Sequence, residues 1–177
     1  MSQSVDQTKN IIYSERISST KTEALFLALM IFFLLLFAWR LNAGSLNFFG
    51  VAFFGLFIVF LFYSLNYRTL VIHLTPDSLK LKFGIFLWTV PLDNVEVCQL
   101  DELPTLMKYG GAGIHFMTIR KRYRASFNFL EYPRVVIAFK NKVGPVRDIS
   151  FSTCHPEEII RLIQDRMDAY NPSLIKN

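Results

Sequence analysis

The chain has 177 residues and a formal net charge of +5; 52% of its residues are hydrophobic and 18 are phenylalanine. The apolar excess lies in residues 24–65, where 34 of 42 residues are apolar and Arg40 is the only charged side chain. This distribution excludes a purely soluble protein, a disordered chain, a disulfide-rich mini-protein and a multi-span transporter.

The first predicted element is a transmembrane helical hairpin. A polar leader, residues 1–23, precedes a first span over residues 24–43 and a second span over residues 48–65. The apolar runs of 16 and 18 residues correspond to helices of about 24 and 27 Å, against a hydrocarbon core of about 30 Å. Arg40 lies next to the turn between the spans, where its long side chain can reach the head groups.

Two alternative interpretations of the apolar runs fit the sequence less well. Buried helices of a soluble core would usually keep a polar face, and neither run has one. A cleaved signal peptide would not follow 23 mostly polar residues, nor would it need a second apolar run directly after it.

The distribution of basic residues predicts the orientation of the hairpin. The leader carries three Lys or Arg residues, the connecting turn carries only Arg40, and residues 66–177 carry the other 15. Because positive residues favour the cytoplasmic side, we expect a multi-pass protein of the inner or plasma membrane with both termini cytoplasmic. Cys98 and Cys154 agree with a reducing compartment and do not indicate a disulfide framework.

The rest of the chain is predicted to form one soluble domain over residues 66–170, followed by a short tail over residues 171–177. Alternation of apolar and polar residues indicates half-buried strands separated by turns. We expect about seven strands in an antiparallel β-sandwich or barrel, which makes the whole chain a membrane-anchored α+β protein. Eight runs have this pattern, one more than the expected number of strands: residues 69–74, 79–83, 86–90, 95–98, 114–120, 123–129, 135–139 and 146–152.

The last predicted element is an amphipathic helix that closes the sheet. Pro156 suits a first helical position, and the two glutamates that follow it favour the positive end of the helix dipole. Ile159, Ile163 and Met167 then share one face at helical spacing.

Four segments in this order resemble the bacterial pleckstrin-homology-like membrane proteins that carry two N-terminal transmembrane helices. They are residues 74–79, the proline-led turn at 91–95, the glycine motif at 109–114 and the strand-to-helix junction at 149–158. The resemblance covers about residues 24–168 and implies a sandwich with a C-terminal helix in a membrane setting, without a defined reaction. It does not imply phosphoinositide recognition, because the basic motif around the first hairpin is not matched beyond Lys80 and Lys82.

The strongest local charge feature is a basic run. It contains Arg120, Lys121, Arg122 and Arg124, and Lys80 and Lys82 add two cations on the predicted second strand. These residues are the candidate binding site for anionic lipid head groups or for an acidic protein partner. The alternative is a solvated hairpin turn. Nucleic acid is not an expected partner, since no known binding motif is present.

Other candidate sites are weaker. The glycines at 110, 111 and 113 precede a predicted strand, not the Lys-Ser/Thr and helix of a phosphate-binding loop, so a bulge or tight turn explains them better. Cys154 and His155 are adjacent in sequence, but neighbours on an extended chain point apart, which disfavours a nucleophile–base pair. The three histidines have no metal-ligand spacing, so we expect neither a metal nor another cofactor.

The sequence therefore predicts a non-enzymatic, membrane-tethered binding or assembly module on the cytoplasmic face. Its partner would be another membrane protein, a second copy of the chain or anionic lipid. Two alternatives remain: a membrane-bound enzyme that uses Cys154 and His155, and a passive structural subunit of a larger membrane complex.

Overall fold

The computed structural model describes residues 10–44, 47–102, 113–119 and 121–170. It is an α+β structure. One strand and two long apolar helices near the N-terminus are followed by the other strands of two β-sheets and by a C-terminal helix. In chain order the elements are β1 (Tyr13–Ser18), α1 (Thr20–Asn42), α2 (Phe48–Asn66), β2 (Thr69–Leu74), β3 (Ser78–Phe83), β4 (Phe86–Pro91), a 3-10 turn (Leu92–Asn94), β5 (Val95–Leu100), β6 (Gly113–Ile119), β7 (Arg122–Asn128), β8 (Arg134–Val143), β9 (Val146–Ser152) and α3 (Pro156–Tyr170).

Helices α1 and α2 form an antiparallel pair. Each begins at a polar cap: the Ser19 side chain accepts from the Thr22 N–H, and the Asn47 side chain accepts from the Gly50 N–H. Aromatic rings join the helices along their length, with the rings of Phe33 and Phe60 stacked at 5.5 Å. Residues later in α1 contact residues earlier in α2, as expected for antiparallel helices joined by a short connection.

Both helices are long and apolar enough to cross a membrane. With 23 and 19 residues they extend about 34 and 28 Å, against a hydrocarbon core of about 30 Å. Few of their side chains are buried within the protein. The apolar surface therefore faces outward along the pair, which the core helices of a soluble protein would not show.

The strands form two sheets that pack face to face. The first is antiparallel in the order β1-β2-β3-β4, and the second has the order β5-β8-β9-β7-β6. Period-two alternation places one face of each sheet in a shared core. Its fully buried members include Leu70 and Ile72 from β2, Phe83 from β3, and Ile149 and Phe151 from β9. Helix α3 closes the core with Ile159 and Ile163, and the Gln164 side chain donates to the Cys98 carbonyl of β5.

The predicted order of two apolar helices followed by sheets is confirmed, but the prediction of about seven antiparallel strands is wrong in two respects. The described residues contain nine strands, and β7 pairs with β9 in parallel. The additional first strand, β1, lies in the segment predicted as a polar leader, and Ile17 is the one fully buried residue among its six. The parallel pair arises because β9, returning from β8, inserts between β8 and β7; periodicity indicates which residues face the core, not which strands become neighbours.

Candidate functional site

Helices α1 and α2 join the first sheet through two adjacent strand ends. Ser18, the last residue of β1, pairs with Thr69, the first residue of β2. One residue separates β1 from α1, and two separate α2 from β2. The short connections at neighbouring points fix the helix pair relative to the sheet.

Tyr67 reinforces this junction from its position between α2 and β2. Its buried ring stacks on Tyr63 at 5.1 Å and meets the core residue Phe83 edge-on at 5.2 Å. Beside it, the Arg68 guanidinium pairs with the Glu23 carboxylate of α1 at 2.7 Å. Aromatic packing and an ion pair thus hold both helices against the sandwich.

The turn between β3 and β4 lies against the end of α2. Gly84 has a φ of +56°, and a Cβ there would stand 2.5 Å from the carbonyl oxygen of Asn66, so the close approach requires glycine. The Phe86 ring meets Phe62 of α2 edge-on at 6.2 Å. Ile85 and Leu87 are 73% and 61% exposed. We call residues 84–87 the hairpin tip; its apolar surface continues the apolar surface of the helix pair.

A cleft of about 660 Å³ opens beside the hairpin tip, and we call it the helix-proximal cleft. Three cations line it, Arg16, Arg68 and Lys82, together with Glu23 and the α2 residues Leu65 and Asn66. Arg16 of β1 pairs in register with Val71 of β2, which pairs with Lys82 of β3. The two cations therefore project from the same face of the sheet on either side of a valine.

The charges in the helix-proximal cleft are unevenly neutralised. Arg68 is paired with Glu23, whereas Arg16 and Lys82 form no ion pair with any other residue that the structure describes. Both of these side chains are exposed. The cleft therefore presents two unneutralised cations next to the exposed end of an apolar helix.

The structure places the sequence-predicted basic residues in separate environments. Lys82 lines the helix-proximal cleft, and Lys80 lies two residues earlier on the same face of β3, in register with His73. Arg120 lies outside the described residues. Lys121 occupies the β6–β7 turn in the left-handed conformation, with a φ of 65°. Arg122 and Arg124 lie on β7 in the other sheet.

The two β7 arginines are engaged by carboxylates. The Arg124 side chain, in a residue only 7% exposed, pairs with Asp101 at 3.0 Å and with Asp148 at 3.6 Å. Arg122 pairs with the other Asp148 oxygen at 2.6 Å and with Glu96 at 3.6 Å. These contacts join β5, β7 and β9 on the face of the second sheet that points away from the core. Buried charge requires such pairing, so this cluster holds the sheet together and leaves little of Arg124 open to a ligand.

Cys154 and His155 lie where β9 leads into α3, beside Glu15 of β1. The Cys154 N–H donates to Glu15 at 2.8 Å, and the His155 Nδ1 lies 3.6 Å from the same carboxylate. Partial desolvation of the sulfur and the adjacent Glu15 carboxylate raise the pKa of the Cys154 thiol. A raised pKa disfavours the thiolate that a cysteine nucleophile needs.

Two other sequence features have clear placements. Residues 109–112 of the glycine motif lie outside the described residues, and Gly113 opens β6 with a φ of +88°. A Cβ on Gly113 would stand 2.7 Å from the Tyr67 ring, so this glycine permits close packing at the helix junction. Within the described ranges, no group of three or more His, Cys, Asp or Glu side chains is arranged to hold a metal ion.

Sequence reasoning missed Arg16 and Arg68 as members of a site. In the sequence both residues indicate only topology, because they flank the apolar segment. Their juxtaposition depends on β1 pairing with β2, a contact between residues that stand on opposite sides of both helices. The available signal was the alternation of Tyr13, Glu15 and Ile17, which marks residues 13–18 as a strand with Arg16 on its outer face.

Comparisons of this chain with known protein families, with curated proteins and with solved structures gave no match.

Proposed function

We propose that the chain is a membrane-anchored binding or assembly module. The helix pair crosses the bilayer as a hairpin, and a PH-like sandwich lies against the cytoplasmic face with both termini on that side. The observation that carries the proposal is the exposed apolar surface of α1 and α2, joined to the sandwich through the packed Tyr67 junction. Such a surface is stable in lipid and costly in water.

The sandwich supports the PH-like part of the proposal. Two sheets packed face to face and closed by one helix after the last strand are the arrangement that the resemblance implies. In the polar cluster of Cys154, His155 and Glu15, partial desolvation and the carboxylate raise the pKa of the thiol, and the Glu15 contacts tie β1 to the end of β9. These features favour a module that binds over one that catalyses a reaction.

Tethering supplies the physical logic of a binding role. A domain held at the bilayer meets other membrane components at a high effective concentration, so weak surface contacts suffice for association. The partner is another membrane protein, a second copy of this chain or anionic lipid. The short connections at Ser18 and Thr69 would keep one face of the sandwich turned toward the membrane.

Two reporters test the topology. A fluorescent protein fused after Asn177 becomes fluorescent only if that end is cytoplasmic. Alkaline phosphatase fused after Ala43 becomes active only if the turn between the helices lies on the opposite side of the membrane. We expect fluorescence from the first fusion and phosphatase activity from the second. The reverse pattern, or extraction of the protein by alkaline carbonate, would overturn the anchored arrangement.

Crosslinking of intact membranes tests the binding role. The full-length chain is crosslinked in cells that express it, and the products are identified by mass spectrometry. We expect defined crosslinks from the sandwich to a membrane protein, to a second copy or to lipid. If every crosslink stayed within one chain, the assembly role would be contradicted.

A further inference from the structure

We propose that the helix-proximal cleft binds the phosphate-bearing head group of an anionic membrane phospholipid. The inference rests on the proposed anchoring and assigns the lipid and the residues that hold it. Arg16 and Lys82 contact the phosphate, Arg68 borders it, and the acyl chains extend along Leu65 and the hairpin tip.

The spacing of the cations fits one head group. Arg16 and Lys82 stand on the outer strands of a three-strand row with Val71 between them. Adjacent strands are about 4.8 Å apart, which places the two backbones about 10 Å apart. Long flexible side chains from both positions can converge on a phosphate above the valine. Since valine is small and apolar, it leaves room there and offers no competing charge.

The charge balance of the cleft also favours an anion. Its described lining holds three cations and the Glu23 carboxylate, which is already occupied by Arg68 at 2.7 Å. Arg16 and Lys82 remain without carboxylate partners among the described residues. An anionic head group supplies the missing negative charge, whereas a neutral sugar or an acyl chain alone would not.

The apolar border of the cleft distinguishes a lipid from a free phosphate. Leu65 of α2 lines the cleft and is 65% exposed, and Gly84 of the hairpin tip also lines it. The row of cross-strand partners that begins at Arg16 of β1 continues through Lys82 of β3 to the exposed Leu87 of β4. Cationic and apolar surfaces thus meet at the level where α2 enters the sandwich, which corresponds to the head-group layer of a spanned bilayer.

Native mass spectrometry of the full chain in detergent micelles tests the assignment. The protein is titrated with phosphatidylglycerol, and bound lipid is counted for the wild type, for the double variant Arg16→Gln/Lys82→Gln and for the control Lys142→Gln. Lys142 is an exposed lysine of β8 in the other sheet. We expect the double variant to bind phosphatidylglycerol about thirtyfold more weakly, since each of the two cations is worth about 1 kcal/mol. The control and Lys82→Arg should retain wild-type binding, because the first lies elsewhere and the second keeps the charge.

Competition separates the two sources of phosphate. Phosphatidylcholine and inorganic phosphate are added to the complex with phosphatidylglycerol, and the lipid-bound fraction is measured. We expect little displacement by either, since the first has no net negative charge and the second has no acyl chains. Efficient displacement by inorganic phosphate would overturn the lipid assignment, as would equal binding by wild type and double variant or equal weakening in Lys142→Gln.

The outcome is separable from the proposed function. All the substituted side chains are exposed, and unchanged thermal unfolding would confirm that the variants fold. If phosphatidylglycerol binding does not depend on Arg16 and Lys82 while the protein resists carbonate extraction, the head-group site is wrong and the anchored module stands. If the protein is extracted by carbonate, the anchoring itself is wrong.

Discussion

The Glu15 carboxylate on β1 accepts a hydrogen bond of 2.6 Å from the Thr153 hydroxyl, 138 residues later in the chain. The same carboxylate accepts from the Tyr13 hydroxyl at 2.8 Å and from the Cys154 N–H at 2.8 Å. The strand that precedes α1 is therefore fixed on two sides, by its pairing with β2 and by the junction between β9 and α3. β1 therefore connects the β9–α3 junction to the start of α1.

Glu15→Gln should destabilise the protein by about 2 kcal/mol. The amide cannot accept from all three donors, and hydrogen bonds to a charged group are worth about 1.5–3 kcal/mol. The measurement is thermal unfolding of the full chain in detergent, with Asp165→Asn as the control because Asp165 is an exposed carboxylate of α3. An unchanged unfolding temperature in Glu15→Gln would show that β1 is held by strand pairing alone.

The contribution of Glu15 should disappear in acid. Burial by itself raises the pKa of Glu15, but the hydrogen bonds from Thr153, Cys154 and Tyr13 outweigh it and hold the pKa below its ordinary value of 4.5. A lowered folded-state pKa means that the stabilisation is complete above about pH 4.5 and is lost as the pH falls through the folded-state value. The difference in unfolding temperature between wild type and Glu15→Gln should therefore be constant near neutrality and shrink below pH 4.5. A difference that grows in acid would contradict this.

Local periodicity accounts for the parts of the fold that the sequence predicts well. β2 occupies residues 69–74 as expected, and α3 begins at Pro156, because burial alternates along the strand and the helix carries one apolar face. The apolar helices have observed bounds of Thr20–Asn42 and Phe48–Asn66, close to the expected spans. In each case neighbouring residues carry the signal.

What the sequence does not predict depends on distant contacts. β1 is mostly polar, and its pairing with β2 and its Glu15 contacts bridge segments far apart in the chain. Arg124 belongs to a run that resembles a solvated hairpin, yet it is buried, because Asp101 directly after β5 and Asp148 of β9 both pair with it. The helix-proximal cleft is missed for the same reason, since Arg16 and Lys82 meet only across three paired strands.

Arg124→Met should be strongly destabilising. Removing the guanidinium leaves the buried carboxylates of Asp101 and Asp148 without their shared partner, and breaking a buried pair from one side costs about 3–5 kcal/mol. The matched control is Lys121→Met, which removes an exposed cation from the same run of sequence. Unfolding of both variants by heat in detergent gives the comparison. Equal stability of the two variants would mean that the Arg124 contacts are energetically neutral.

Gly84→Ala should destabilise more than Gly144→Ala. Both glycines adopt a positive φ, +56° and +61°, so alanine is strained by roughly 1–2 kcal/mol at either position. At Gly84 the new Cβ would also stand 2.5 Å from the Asn66 carbonyl oxygen, whereas nothing lies within 4 Å at Gly144. Thermal unfolding of the two variants isolates the second effect. A similar loss in both would indicate that the hairpin tip moves away from α2 at little cost.

The hairpin tip should lie within the head-group region of the bilayer. An environment-sensitive fluorophore is attached to the cysteine of Ile85→Cys in a Cys154→Ser background. The remaining thiol, Cys98, is protected from labelling because burial raises its pKa to about 12. Phe86 packs on Phe62, one turn before the end of α2, so a label at the tip sits at the level of that turn. In proteoliposomes we expect blue-shifted emission that spin-labelled lipid quenches and aqueous iodide does not.

Asp77→Cys provides the matched label position for the depth measurement. It lies in the turn at the other end of β3, and six strand residues extend about 20 Å, which separates this label from the hairpin tip and from the head-group layer expected there. Emission from this position should be that of a fluorophore in water, quenched by iodide and unaffected by spin-labelled lipid. Identical quenching at the two positions would mean that the sandwich does not sit on the bilayer through its hairpin tip. In that event the charged row from Arg16 to Lys82 would lie too far from the head groups to reach them.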